Sequence, residues 1–271
     1  MAVQPAIDAA ITKGAEQIDM REEGSHGVLL LHGFGDTPQT LSAYAKYLSK
    51  SGFAVFAPLL PGHGRTMDAF MRSRADDWIL AAKDAFLEMR SRYRIVSVSG
   101  LSMGGALAVI VAAEHHDIAS LVLLAPYLGM PRWLQGAALT HWVWGRFVGP
   151  VSANSPRSIQ NPLEREKNLS YGKVTGRSIF ELSRVVRRAQ RALPEVVSPT
   201  LIIQSREDPR VSPAVVQSAF QKLGAPEKKI VWTTGAGHII TVDYGRERLF
   251  SEAERWLKSH AGRDATAAHS R

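Results

Sequence analysis

The sequence predicts an α/β protein: an open, mainly parallel sheet wound on both faces by helices, with one helical insert over an edge of the sheet. Three observations predict it. Short apolar, β-rich runs alternate with longer segments of helical period. The runs are continuously apolar instead of alternating, as strands buried on both faces of a parallel sheet are. The alternation also breaks once: about 75 residues separate the run ending at Leu124 from the next at Leu201, far more than a crossover connection needs.

In chain order the strands are expected at 28–31, 53–57, 95–98, 121–124, 201–204 and 230–233. Helices are expected at about 39–50, 76–92, 102–114, 213–223 and 246–260, where apolar positions recur at three- to four-residue spacing. The long insert holds a Trp-rich apolar part, PRWLQGAALTHWVWGRFVG, and then an amphipathic helix carrying Ile179, Leu182, Val186, Ala189 and Leu193 on one stripe. It reads as a helical cap over the C-terminal edge of the sheet, where ligands bind in such folds. The expected organisation is a core of 1–126 and 196–261, a cap of 127–195 and a small polar tail of 262–271 that frays.

The 271 residues include no Cys, which excludes a disulfide framework, a thiolate zinc site, an Fe–S cluster and a thiol nucleophile. No His pair has credible ligand spacing with a carboxylate, so neither a metal nor another cofactor is expected. The N-terminus lacks the basic start and apolar run of a secretory signal, and no stretch reaches ~18 apolar residues, so a cytoplasmic location is expected. The formal charge of +8 is uneven: residues 146–191 hold ten basic and three acidic side chains, a net +7. Two readings follow, a basic rim that contacts lipid aggregates or a membrane surface transiently, and a solvated helix face. Nucleic acid is not an expected partner, since the charge sits on the cap.

The chemistry starts at Gly100-Leu101-Ser102-Met103-Gly104, a G-x-S-x-G pentapeptide between a buried strand and an Ala-rich helix. That context is what a nucleophile elbow requires: glycines allow a sharp turn, Ser102 projects into the cleft, and the Met103 N–H faces a developing oxyanion. His32-Gly33-Phe34-Gly35-Asp36 follows an earlier strand, and its Phe34 N–H supplies a second oxyanion donor. An activated serine needs a base, and the base an orienting carboxylate. Asp208 lies just past the strand at 201–204, with Glu207 beside it as the competing acid, and His238 sits on the Gly-flanked loop after the strand at 230–233. The chain order Ser102, Asp208, His238 is that of a Ser…acid…His triad. Asp243 is read as a support for the His238 loop, and His32 and His63 as residues that order theirs.

Taken together, LLLHGFGDTP, APLLPGHGRT, VSGLSMGGALAV, REDPRVSP and GAGHIITVDY resemble the serine esterases of the α/β-hydrolase superfamily, in particular bacterial carboxylesterases and monoacylglycerol lipases, from about Gly27 to Trp256. The resemblance implies the α/β-hydrolase fold with a cap inserted after the sixth strand, Ser102 as nucleophile, Asp208 as acid, His238 as base, and the Phe34 and Met103 amides as oxyanion donors. It is weakest across the cap. The expected activity is hydrolysis of a small-molecule ester, with short- to medium-chain acyl esters or monoacylglycerols as substrates and the acyl chain against Trp133, Leu134, Trp142 and Trp144. Acyl transfer or amide cleavage by the same triad stays open, as does a non-catalytic ligand-binding protein of the same fold. The same four residues could equally be the cap's own core.

Overall fold

The computed structural model describes residues 9–21, 26–145, 147–153 and 155–262. Most of the tail expected to fray, and Arg146 among the cap's basic residues, therefore lie outside the described residues.

The chain opens with β1 (Ile18–Met20), β2 (His26–Leu31), α1 (Ser42–Lys50) and β3 (Ala54–Ala57). There follow α2 (Met67–Arg72), α3 (Ala75–Arg92), β4 (Ile95–Leu101), α4 (Met103–Glu114) and β5 (Leu121–Leu124). The insert comprises α5 (Arg132–Leu139), α6 (His141–Trp144), β6 (Val151–Ser152), α7 (Pro162–Lys167), β7 (Lys173–Val174) and α8 (Gly176–Ala192). The chain returns through β8 (Thr200–Ser205), α9 (Pro213–Lys222), β9 (Lys228–Thr233) and α10 (Arg246–Ser259). The six expected strands are β2, β3, β4, β5, β8 and β9.

Sheet order is β1-β3-β2-β4-β5-β8-β9, with β1 antiparallel to β3 and every other neighbour parallel. This is the α/β-hydrolase architecture. The insert follows β5, the fifth strand among the described residues and not a sixth, because β1 alone precedes the parallel run. Register pairs Leu31 with Gly100, Leu101 with Leu124, Leu124 with Ile203, and Ser205 with Thr233. The C-terminal ends of five parallel strands therefore finish level, and their loops emerge along one edge.

Alternate residues of each strand feed two separate cores, as a pleat requires. Leu29, Leu31, Val96 and Val98 pack with α3 and α4, while Val28, Leu30, Val122 and Leu201 pack with α1 and α10. The apolar stripe of α8 (Leu182, Val185, Val186, Ala189) joins the first core beside α4. The insert's long helix is thus anchored in the body of the protein through the surface its sequence period predicts.

Its charged residues are anchored as well. Buried Glu181 accepts a hydrogen bond from the Ala75 amide at 3.1 Å, which satisfies a first-turn N–H of α3. Arg184 bridges Glu181 and Asp76 at 2.9 and 2.7 Å, and Arg188 reaches Glu114 at 3.1 Å. Two of the basic residues of this segment, Arg184 and Arg188, are therefore tied to acids of α3 and α4, which sequence distance concealed. Among the described residues no helix is long and apolar enough to cross a membrane.

Candidate active site

Ser102 has φ 56° and ψ −117°, a left-handed conformation shared among described non-glycine residues only with Ala125. Such strain persists where surrounding structure over-determines it, and at an elbow it pushes the hydroxyl out of the chain path. Two glycines make the turn feasible. A Cβ on Gly100 would lie 2.2 Å from the Gly104 carbonyl oxygen, and one on Gly104 would lie 2.0 Å from the Leu31 oxygen. The elbow is pressed against the end of β2 with no room for a methyl group.

His238 comes to this serine from the loop after β9. Its Nδ1 is 2.8 Å from Asp208 Oδ2 and its Nε2 is 2.8 Å from Ser102 Oγ. A carboxylate can only accept, so Nδ1 carries the proton and Nε2 accepts from the Ser102 hydroxyl. The three residues that the sequence assigns to nucleophile, acid and base therefore form one continuous hydrogen-bonded chain. Burial alone would raise the Asp208 carboxyl. The adjacent His238 ring, the Arg210 amide at 2.7 Å and Gln204 Nε2 at 2.8 Å outweigh it, and Asp208 is held below the ordinary carboxylate range. The competing acid Glu207 turns away, accepting from Ser205 Oγ and the Gly235 amide, both at 3.2 Å.

The loop after β2 closes the other side. Gly33 packs on the elbow, so that a Cβ built there would sit 3.4 Å from Ser102 Cβ. The Phe34 amide has no intramolecular acceptor among the described residues, and its ring is fixed by Phe70 and Trp78 at 5.0 and 5.8 Å. Met103 buries its side chain in the core and offers only its amide, at the first turn of α4. His32 orders this loop: Nδ1 donates to the Gly33 oxygen at 2.9 Å and Nε2 accepts the Leu60 amide at 3.1 Å. Burial holds it neutral, pushed down to about 4. His63 is likewise buried and donates from Nδ1 to the Pro61 oxygen. His260, which reads as a solvated helix residue, is instead buried and paired with Glu227.

Asp243 does more than its sequence position suggested. Its carboxylate accepts four backbone amides, Gly237 and Tyr244 of the His238 loop and Gln160 and Asn161 of the insert, at 2.7–3.0 Å. The Ser158 carbonyl accepts the His238 and Ile239 amides at 2.9 Å. His238 is thus positioned partly by the insert, through backbone contacts that carry no side-chain signature.

A cavity of about 460 Å³ opens over Ser102 and His238. Trp133, Leu134 and Trp144 line it, with Ile179 and Leu182 of α8. Trp142 does not; it is 71% exposed. Trp144 is turned inward because its Nε1 donates to the Ala137 oxygen at 2.9 Å and its ring rests on Gly176, leaving Trp142 on the outer side of the single turn of α6.

Asp36 also lines the cavity and has no counterpart among the expected site residues. It is buried and accepts the Thr37 amide and Thr40 hydroxyl, both at 2.9 Å. Burial raises its carboxyl to about 7, against the pull of those donors and the Arg210 charge. The carboxyl is neutral in both folded and unfolded chains below about pH 4, and from there to pH 7 only the unfolded chain ionises, so stability falls as pH rises. The cost at pH 8 is on the order of 4 kcal/mol. Asp36→Asn can keep both hydrogen bonds, with its oxygen accepting the amide and its NH₂ donating to Thr40 Oγ1. It is expected to raise Tm by several degrees at pH 8 and to leave it nearly unchanged at pH 4, as thermal denaturation at the two pH values will check. Equal shifts at both values would place the ionisation elsewhere.

A serine at a strand–elbow–helix junction, joined to a histidine and an aspartate from later strand ends of a mainly parallel sheet, defines an α/β-hydrolase of the serine type. The chain belongs to the Hydrolase_4 family, described as serine aminopeptidase, S33, whose model matches residues 23–244. It is 30% identical over 252 residues to a thermostable monoacylglycerol lipase of Bacillus sp. (strain H-257), covering 93% of this chain and 98% of that protein. A carboxylesterase of Bacillus subtilis (strain 168) is 21% identical, with 87% and 93% covered. Among solved structures, one of a study of the metagenome-derived lipolytic enzymes LipS and LipT superposes with a TM-score of 0.84 at 28% identity, covering 93% of this chain and all of that one. The monoacylglycerol lipase of Paleococcus ferrophilus shares the fold at 0.77 and 22% identity, with 90% and 98% covered.

Proposed function

We propose that this protein is a carboxylic ester hydrolase that works through an acyl-enzyme, with short- to medium-chain acyl esters or monoacylglycerols as substrates. The observation that carries the reading is the pair of 2.8 Å hydrogen bonds from Ser102 through His238 to Asp208 at the floor of an apolar cavity. Ser102 Oγ attacks the acyl carbonyl carbon as His238 Nε2 takes its proton, and Asp208 stabilises the imidazolium. The Phe34 and Met103 amides bind the oxyanion, each such donor being worth about 2.7–4 kcal/mol in related chemistry. The imidazolium then protonates the leaving alkoxide, and water deacylates Ser102 with His238 as base. Residues 127–195 serve as the cap over this site, with the acyl chain against Trp133, Leu134 and Trp144.

The relatives named as a monoacylglycerol lipase and a carboxylesterase support ester cleavage. Amide cleavage is less favoured. An aminopeptidase must hold a cationic amino terminus, whereas the cavity lining carries Lys173 and Arg210. The exposed Trp133, Trp142 and Phe147 of the cap support transient contact with lipid aggregates, beside the basic residues of the same insert.

The test is a chain-length series of p-nitrophenyl esters run beside mono-, di- and triacylglycerols, in solution and in phosphatidylcholine vesicles. A maximum at short to medium chains, with monoacyl above triacyl glycerol, is expected. Turnover confined to triacylglycerol, or to aminoacyl amides, overturns the reading, and vesicle rates indifferent to Trp142→Ser and Phe147→Ser overturn the lipid contact.

A further inference from the structure

The cavity is chemically two-sided. Towards α5, α6 and α8 it is lined by Trp133, Leu134, Trp144 and Ile179. The β6–β7 pair and the segment after Asp208 supply a second, more polar group of lining residues. There Lys173 stands directly across from Ser152, the Ala153 amide donates to the Gly172 oxygen, and Arg210 donates to the Ala153 oxygen and to Ser158 Oγ at 2.9 Å.

Neither Lys173 nor the Arg210 guanidinium has a carboxylate partner within ion-pair distance among the described residues, and the acceptors that hold Arg210 are neutral. Arg210 is therefore held by neutral acceptors and not by a direct ion pair, and Lys173 lines the same cavity. Among the described lining residues the one carboxyl is Asp36, which burial pushes up to about 7, so two cations face a single carboxyl that is only partly ionised near neutral pH.

The reaction dictates which part of a substrate meets this polar group. The alkoxide that leaves takes its proton from His238 Nε2, so the alcohol group must extend on the His238 side. Ser158, the residue to which Arg210 is bonded, holds the His238 and Ile239 amides on its carbonyl. The cationic residues and the base thus share one scaffold, while the acyl chain has the apolar lining.

We propose that Lys173 and Arg210 form an anion-selecting subsite for the alcohol part of the ester, so that preferred substrates carry a phosphate or a carboxylate on that alcohol. This rests on the ester-hydrolase reading above. The acyl carbon–oxygen bond breaks, Ser102 Oγ bonds the acyl carbon, and the anionic alcohol leaves with the proton from His238. Water then releases the carboxylic acid, so each turnover consumes one ester and one water. The source is a reaction class that acylates a phosphorylated or carboxylated alcohol.

The experiment compares kcat/KM for 1-hexanoylglycerol, 1-hexanoylglycerol 3-phosphate and O-hexanoyl lactate at low ionic strength, the last two separating phosphate from carboxylate. At least one anionic ester is expected to exceed the neutral one by about tenfold, a ratio that Lys173→Gln lowers severalfold, Lys173→Arg restores and 0.5 M NaCl compresses. A ratio of one or below in the parent protein, or a ratio that Lys173→Gln leaves in place, overturns the subsite. Absence of turnover on all three esters would instead overturn the ester-hydrolase reading itself.

Discussion

Replacing Ser102 by Ala is expected to lower kcat for p-nitrophenyl butyrate by a factor on the order of 10⁶, with Tm unchanged or raised. The Ser102 hydroxyl is the one bonded to His238 Nε2, at 2.8 Å, and alanine accepts the same backbone without further strain. Asp208→Asn is expected to cost about 10⁴-fold, and to lower Tm as well. Oδ2 of Asp208 accepts from both His238 Nδ1 and Gln204 Nε2, while Oδ1 accepts the Arg210 and Val211 amides. Whichever way an Asn amide is turned, its NH₂ meets a donor, so the wrong imidazole tautomer is imposed or a buried bond is lost. Steady-state kinetics and melting curves separate the two variants. A Ser102→Ala protein within tenfold of the parent rate would refute the mechanism.

Gly104→Ala is expected to lower kcat/KM by at least 10²-fold and stability by on the order of 3 kcal/mol. The added methyl meets the Leu31 carbonyl at 2.0 Å and the His32 oxygen at 2.7 Å, backbone atoms of a central strand and the oxyanion loop that no rotamer change can move. Relief requires the elbow to withdraw from β2, and that withdrawal displaces Ser102 from His238 and from the Phe34 amide together. Gly136 on α5 has nothing within 4 Å of a built Cβ, so Gly136→Ala is the matched control and is expected to be neutral or slightly stabilising. Equal melting temperatures and rates for the two variants would show that the contact with β2 is dispensable.

What the sequence made legible follows from how local each signal is. Continuous apolar runs mark the parallel strands because both faces of each are buried, and Ser102, Asp208 and His238 are marked by strand ends and glycines nearby in the chain. β1 escapes the same reading because three residues, Ile18 to Met20, pair only on one edge and leave no apolar run. α2 escapes because six residues are too few to establish a period. Trp142 and Trp144 are indistinguishable in sequence, since one turn of helix has no phase until Gly176 makes room for one of them. The pairing of Arg184 and Arg188 is illegible for a related reason: the acids that tether them lie on α3 and α4, far along the chain. The burial of Asp36 is a property of the packed loop alone.

The grip of the insert on the His238 loop bears on how substrate range can change in this family. Gln160 and Asn161 share the Asp243 carboxylate with Gly237, and Ser158 carries His238 itself. A chimera that exchanged the whole span between β5 and β8 would import a foreign partner for the base and arrive inactive however well its new pocket fitted. A splice made beyond Asn161 would leave the base at its post and hand over α7, β7 and α8 as exchangeable parts. The narrow stretch 158–161 thus belongs by sequence to the insert and by its hydrogen bonds to the seat of His238.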